Sequence, residues 1–164
     1  MKPFIVNIAD IRRSGRDRRE RRDGVITAAV TGSAVPEGAT VVADLLLQAA
    51  GRAVEATGEV RAPWVGECRR CLGPAVGELI AAVDHELFEP DPDDLSYPLK
   101  NDEIDLEPLV RDAVLLELPL APLCREDCQG LCPICGADRN EVTCECQPAP
   151  DPRWAALDAL RENN

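Results

Sequence analysis

Eight cysteines and a single histidine set the chemistry open to this chain of 164 residues. Six of the thiols, Cys124, Cys128, Cys132, Cys135, Cys144 and Cys146, fall within twenty-three residues. Thiols that close need a shared partner, either another sulfur or a metal. The stretch Cys132-Pro133-Ile134-Cys135-Gly136 has the form of a zinc knuckle, in which two thiolates sit at the mouth of a tight turn. Pro fixes the entering backbone there, and Gly takes the conformation that lets N–H groups point at sulfur. Cys144 and Cys146 follow after eight intervening residues, with Gly136 and Asn140 supplying turn chemistry between.

The last two thiols, Cys68 and Cys71, lie between Gly66 and Gly73, as expected of a connection between strands. Eight is the number for two four-thiolate sites, and the spacing suggests a partition. Cys132, Cys135, Cys144 and Cys146 would form a local site, while Cys68 and Cys71 with Cys124 and Cys128 would form a split one. A simpler arrangement places one zinc on four of the six C-terminal thiols. One or two structural zinc ions are therefore the expected cofactors.

Catalysis finds little support. A catalytic zinc keeps an open position beside His or carboxylate ligands, and His85 is the chain's one His. Leu131 precedes the Cys132 pair where a zinc deaminase has Pro, and no His-x-Glu accompanies it. A redox role for Cys68 and Cys71 lacks the βαβ setting of thioredoxin-like motifs. With no Gly-rich phosphate loop and no G-x-S-x-G, the expectation is a protein that is not an enzyme and takes no small-molecule substrate.

The elements that must position these thiols are mostly strands. Residues 3–8 and Val25–Val30 read as short strands, and Val41–Leu47 as a longer one. Val54, Ala56, Val60 and Trp64 lie on alternations interrupted by Gly58. From about Val76 to Phe88 a period of two puts Leu79, Ala81, Val83, His85 and Leu87 on one face, with Phe88 on the other. Residues 89–103 hold three prolines and six acids and read as an acidic loop. An amphipathic helix is predicted from about Glu107 to Glu117, where Pro108 falls harmlessly in the first turn and Pro119 stops the run. Asp151 and Pro152 open a short last helix with an apolar edge of Trp154, Leu157 and Leu160. The fold class expected is α+β: an antiparallel sheet that could close as a barrel, covered by a helix. Residues 1–123 would form this body, and 124–164 a cysteine-rich zinc-binding tail packed on the same domain.

Formal charge is −12, and the aromatics are only Phe4, Trp64, Phe88, Tyr97 and Trp154. An acidic surface with few rings disfavours generic nucleic-acid binding. The charge is uneven, however, because residues 12–22 carry Arg12, Arg13, Arg16, Arg18, Arg19, Arg21 and Arg22 for a net +5. That segment has no hydrophobic face, so it reads as a basic loop over 12–24, and its arginines are the candidate contacts to RNA or to a partner protein. No run approaches the roughly 18 apolar residues of a membrane span, and the start has no signal-peptide core. A cytoplasmic protein with reduced, metal-binding cysteines is the expectation.

Three motifs in order carry a family resemblance: Gly66-Glu-Cys-Arg-Arg-Cys-Leu72, Leu118-Pro-Leu-Ala-Pro-Leu-Cys124, and Cys128-Gln-Gly-Leu-Cys-Pro-Ile-Cys-Gly136. With Asn140, Cys144-Glu-Cys146 and Asp151-Pro-Arg-Trp154, they resemble the YceD-like family of large ribosomal RNA subunit accumulation proteins. The resemblance implies a non-catalytic part in the synthesis, processing or stability of large-subunit ribosomal RNA and in ribosome assembly. Ribosomal RNA or a basic ribosomal protein would be the partner. The readings that compete with it are a thiol-based zinc or redox module and a zinc-ribbon adaptor of transcription.

Overall fold

Alternation of apolar side chains builds a long meander. In the computed structural model, which describes residues 3–147 and Arg153, β4 (Val41–Ala50), β5 (Ala53–Glu67) and β6 (Pro74–Glu89) pair antiparallel in sequence order. Val41, Ala43, Leu45 and Leu47 of β4 are fully buried, while Val42, Asp44 and Leu46 face outward. Around the meander lie β1 (Ile5–Asn7), β2 (Arg18–Gly24), β3 (Ser33–Ala34), β7 (Tyr97–Lys100) and β8 (Glu103–Asp105). Strand order is β1-β8-β7-β6-β5-β4-β2, with β3 added beside β5.

The sheet curls until its two ends approach one another. The Phe4 ring fills the space against Gly24, where an added Cβ would lie 2.6 Å from it, and Arg18 donates to the Asn7 carbonyl at 2.8 Å. Side chains rather than a ladder bridge this seam, so the result is a half-barrel. The sheet is also mixed: β6 and β7 run parallel over Phe88↔Tyr97 and Glu89↔Pro98, a departure from the purely antiparallel sheet expected.

The helix α2 (Glu107–Glu117) closes the concave side. Asp105 accepts the Glu107 N–H at 3.0 Å, Pro108 sits in the first turn, and Leu109, Val110 and Val114 are buried. They join Phe4, Ile8, Leu45, Leu47, Phe88 and Ile104 in one core.

Several expectations are corrected. The Arg-rich segment is not a loop: Ala9–Ser14 forms helix α1, which buries Ile11, and after a three-residue connection Arg18–Gly24 becomes β2, in register with β4 from Arg18↔Leu47 to Gly24↔Val41. Backbone pairing to an apolar neighbour strand, invisible in a string of arginines, supplies what the segment's own side chains lack. Val25–Val30 is not a strand, although Ile26 and Ala28 are buried and Ala29 bridges to Ala34. The acidic loop gives up Tyr97–Lys100 to β7. In β6 an extra residue at Asp84 and His85, the latter with φ +57°, shifts the register between Ala56 and Gly58 of β5. This bulge reverses the faces, so Phe88 turns inward with Leu79, Ala81 and Val83 while His85 stays exposed. The last helix predicted from Asp151 lies outside the described residues.

After α2, the chain crosses to the far end of β5. Ser33 Oγ donates to the Pro119 carbonyl at 2.8 Å, and Arg69 N–H to that of Pro122 at 2.9 Å. These bonds deliver the tail to the turn between β5 and β6.

Candidate metal centres

That turn carries Cys68 and Cys71. The Cys68 N–H donates to the Gly73 carbonyl at 2.8 Å and the Leu72 N–H to that of Cys68 at 2.9 Å, while Leu72 holds φ +60°. The turn at Cys132 and Cys135 repeats the pattern: Cys132 N–H to Ala137 at 2.8 Å, Gly136 N–H to Cys132 at 2.9 Å, and φ +73° at Gly136. Two turns built alike each offer a pair of sulfurs. Leu72 occupies a left-handed conformation that favours Gly, so sequence alone hid the equivalence.

The tail completes both pairs. Cys68, Cys71, Cys124 and Cys128 form one tetrad and Cys132, Cys135, Cys144 and Cys146 another, each with all sulfurs within 4.8 Å of one another. The sulfurs are grouped as in the two-site partition that the spacing suggested. In the first tetrad, Cys68 lies 3.8 Å from Cys128 and Cys71 lies 3.7 Å from Cys124. A disulfide would need about 2.05 Å. Four sulfurs about 2.3 Å from one ion at tetrahedral corners stand about 3.8 Å apart, so the donor set fits a thiolate-bound metal. Cys124 and Cys128 reach it through a short turn, with the Cys128 N–H to the Arg125 carbonyl at 3.2 Å, and not through a helix.

Electrostatics within each tetrad are graded. N–H groups of Cys71, Cys124 and Arg70 aimed at Cys68 bring its thiol down to about 6, and those of Cys135 and Ile134 do the same for Cys132. Cys124, deprived of water and faced by the thiols of Cys128, Cys71 and Cys68, is pushed up to about 12. Cys146 rises to about 12 beside Cys135, and Cys144 is raised by Cys132. Each tetrad thus contains one thiol whose ionisation backbone N–H groups favour and another whose ionisation its neighbours oppose.

Two residues to which sequence reading gave no part in the metal sites, Arg70 and Asn140, brace the tetrads. Arg70 donates to the carbonyls of Glu126 and Cys128 at 3.1 and 2.9 Å, and its own carbonyl accepts the Leu131 N–H at 3.0 Å. Gly130, with φ +70°, leaves room for that approach, since an added Cβ would stand 2.8 Å from the Arg70 oxygen. Asn140, from the loop between Cys135 and Cys144, points Nδ2 at the Cys128 sulfur at 3.4 Å and accepts the Gln129 N–H at 2.8 Å. Asn140 is thus more than turn chemistry: it sits in one site's loop and touches the other site's ligand.

The candidate arginines lie on α1 and β2, apart from Arg16 in the connection between them, and most are engaged. Arg12 pairs with Asp102, Arg18 with Asp10 at 2.9 Å, Arg19 with Asp44 at 2.7 Å, and Arg22 with Glu20 at 2.7 Å. The Arg19 guanidinium holds the Asp44 carboxyl below its usual range. Arg13 donates to the Ala9 carbonyl at 3.0 Å, and Arg16 and Arg21 make no ion pair among the described residues. His85 pairs with Glu55 at the bulge, away from both tetrads.

A family profile described as large ribosomal RNA subunit accumulation protein YceD matches residues 56–161. An uncharacterized protein of Mycobacterium tuberculosis is 39% identical over 165 residues, covering 94% of this chain and 80% of the relative. A chloroplastic large ribosomal RNA subunit accumulation protein, YCED homolog 1 of Arabidopsis thaliana, is 37% identical over 71 residues, covering 43% of this chain and 22% of that protein. Its counterpart in Zea mays is 40% identical over 57 residues, or 34% of this chain and 20% of that one. No solved structure matches.

Proposed function

Since the chain belongs to the YceD family of large ribosomal RNA subunit accumulation proteins, we propose that it is a non-catalytic factor in the synthesis, processing or stability of large-subunit ribosomal RNA. It acts in ribosome assembly, with a tail that one structural zinc ion clasps to the half-barrel and a second folds on itself. The observation that carries the metal reading is the pair of closed, all-thiol tetrads, each within 4.8 Å, with sulfur pairs of the first 3.7 and 3.8 Å apart. All-cysteine sets suit zinc, which needs no open position when its task is to hold chain segments together. Each ion would supply the positive charge that lets four thiolates coexist. The partner is ribosomal RNA or a basic ribosomal protein, met by an acidic body and by the arginines of α1 and β2.

Depleting the protein in its host tests the functional reading. Large-subunit ribosomal RNA should fall relative to small-subunit RNA and recover when the intact chain is restored; unchanged ribosome profiles would refute it.

Acidification is expected to strip the metal. Below about 6, Cys68 and Cys132 take up protons, and the raised thiols are already protonated, so the stabilisation is present at alkaline pH and lost as pH falls. Competition with a chromophoric chelator between about pH 8 and 5 should show zinc affinity falling at every step, most steeply at the acid end.

Asn140→Ala should weaken the Cys68 tetrad about 10- to 100-fold, the usual effect of losing a hydrogen bond to a ligand. Cadmium NMR reads the two sites separately. A shift confined to the Cys132 tetrad would contradict the placement of Asn140.

A further inference from the structure

The two long edges of the sheet are treated in opposite ways. β2, paired only with β4, reads RRERRDG, and its charges block further pairing. β6 pairs with β5 on one side but with β7 only at Phe88 and Glu89, so its other side is unpaired from Pro74 to Leu87 among the described residues. That edge reads PAVGELIAAVDHEL, with one charge in its first ten residues. On its outer face Val76 is 70% and Ile80 52% exposed, and Val65 of β5 stands directly opposite Val76 at 39%. A long, apolar, unpaired edge is a template for another strand.

Charge selects the occupant. Glu78 and Asp84 flank the edge on the outer face, and Glu86 and, on α2, Asp112 flank the cleft behind it, where Ala82 and Val83 face Leu109 and Leu116. A second copy of this chain would bring the same carboxylates, and like charges across a strand pair repel. We propose that the free edge of β6 is the docking site for an extended protein segment bearing lysine or arginine at alternate positions, added as a further strand of the sheet. This deepens the reading above by giving the basic partner a surface, and rests on it for the partner's class alone.

The probe is an eight-residue peptide alternating lysine and valine, titrated into isotope-labelled, zinc-loaded protein and followed by amide NMR. Shifts and slowed hydrogen exchange should concentrate on residues 74–87. A glutamate–valine peptide and a lysine peptide interrupted by proline should leave them unmoved. Val76→Lys and Ile80→Lys, both at exposed positions, should each weaken binding at least tenfold without changing the rest of the spectrum. Equal binding of the interrupted peptide, shifts scattered over the acidic surface, or edge protection that grows with protein concentration alone would each overturn the proposal. In the depletion assay, full rescue by Ile80→Lys would sink the docking site and leave the ribosomal reading standing. Failure of the intact chain to rescue would sink that reading and leave the peptide result untouched.

Discussion

Replacing Cys68 with serine is expected to leave one metal ion per chain in place of two and to release the segment from Cys124 to Cys128 from the β5–β6 turn. Cys68 is fully buried with Ala75 and Cys128 beneath Trp64 and Leu123, and its sulfur collects several backbone N–H groups. A serine hydroxyl does not ionise there and offers a harder donor, so the tetrad falls to three thiols. Structural zinc in zinc-finger peptides carries about 10–16 kcal/mol of apparent binding free energy shared among four ligands, so losing one weakens the site severely. The half-barrel has its own core, separate from this cluster, and keeps its fold. The expected signature is an unchanged β-sheet circular dichroism spectrum with rapid proteolysis beyond Leu118. The sites also differ in rank. Leu131 and Asn140 hang the second turn from the first, so Cys68→Ser should weaken the Cys132 tetrad, whereas Cys132→Ser should disturb the Cys68 tetrad less.

Phe88→Ala is expected to cost about 3–5 kcal/mol of global stability, the range for emptying a buried aromatic site. Phe88 is fully buried, and its ring centroid lies 5.3 Å from that of Tyr97, whose hydroxyl donates to Asp112 on α2 at 3.0 Å. It also stands in the two-residue ladder that joins β6 to β7. The substitution therefore removes core volume where β7, β8 and β1 are attached. Urea unfolding should show a lower midpoint with an unchanged slope; a loss under about 1 kcal/mol would mean that the bulge does not turn Phe88 inward.

Much of this was legible because it rests on local rules. The alternation in Val41–Leu47 and the Pro-bounded helix at Glu107–Glu117 declare themselves in sequence, and both form where expected. The thiol partition was legible for a different reason: two short-range pairs and two longer connections leave few ways to make two fours. The Arg-rich strand was not, because its partner, the apolar β4, lies 17 to 29 residues further along and backbone pairing leaves no trace in side-chain type. The bulge was hidden for a similar reason. A period of two runs unbroken through Asp84 and His85, and only the partner strand, passing Gly58 with φ +146° and no room for a Cβ beside Asp44, reveals the extra residue. Arg70 and Asn140 bind through a carbonyl and an amide whose partners come from other loops, so no spacing rule points to them.

The central proposal is that two four-thiolate metal centres shape the tail, the first by holding it to the half-barrel and the second by folding it on itself. Its most direct test is the metal-to-chain ratio of the full protein, purified reduced and without added metal, by elemental analysis alongside intact mass under native conditions. Two zinc ions per chain, falling to one in Cys68→Ser, is the predicted result. A single ion in the intact chain, or eight thiols titrating freely with none bound, would contradict it.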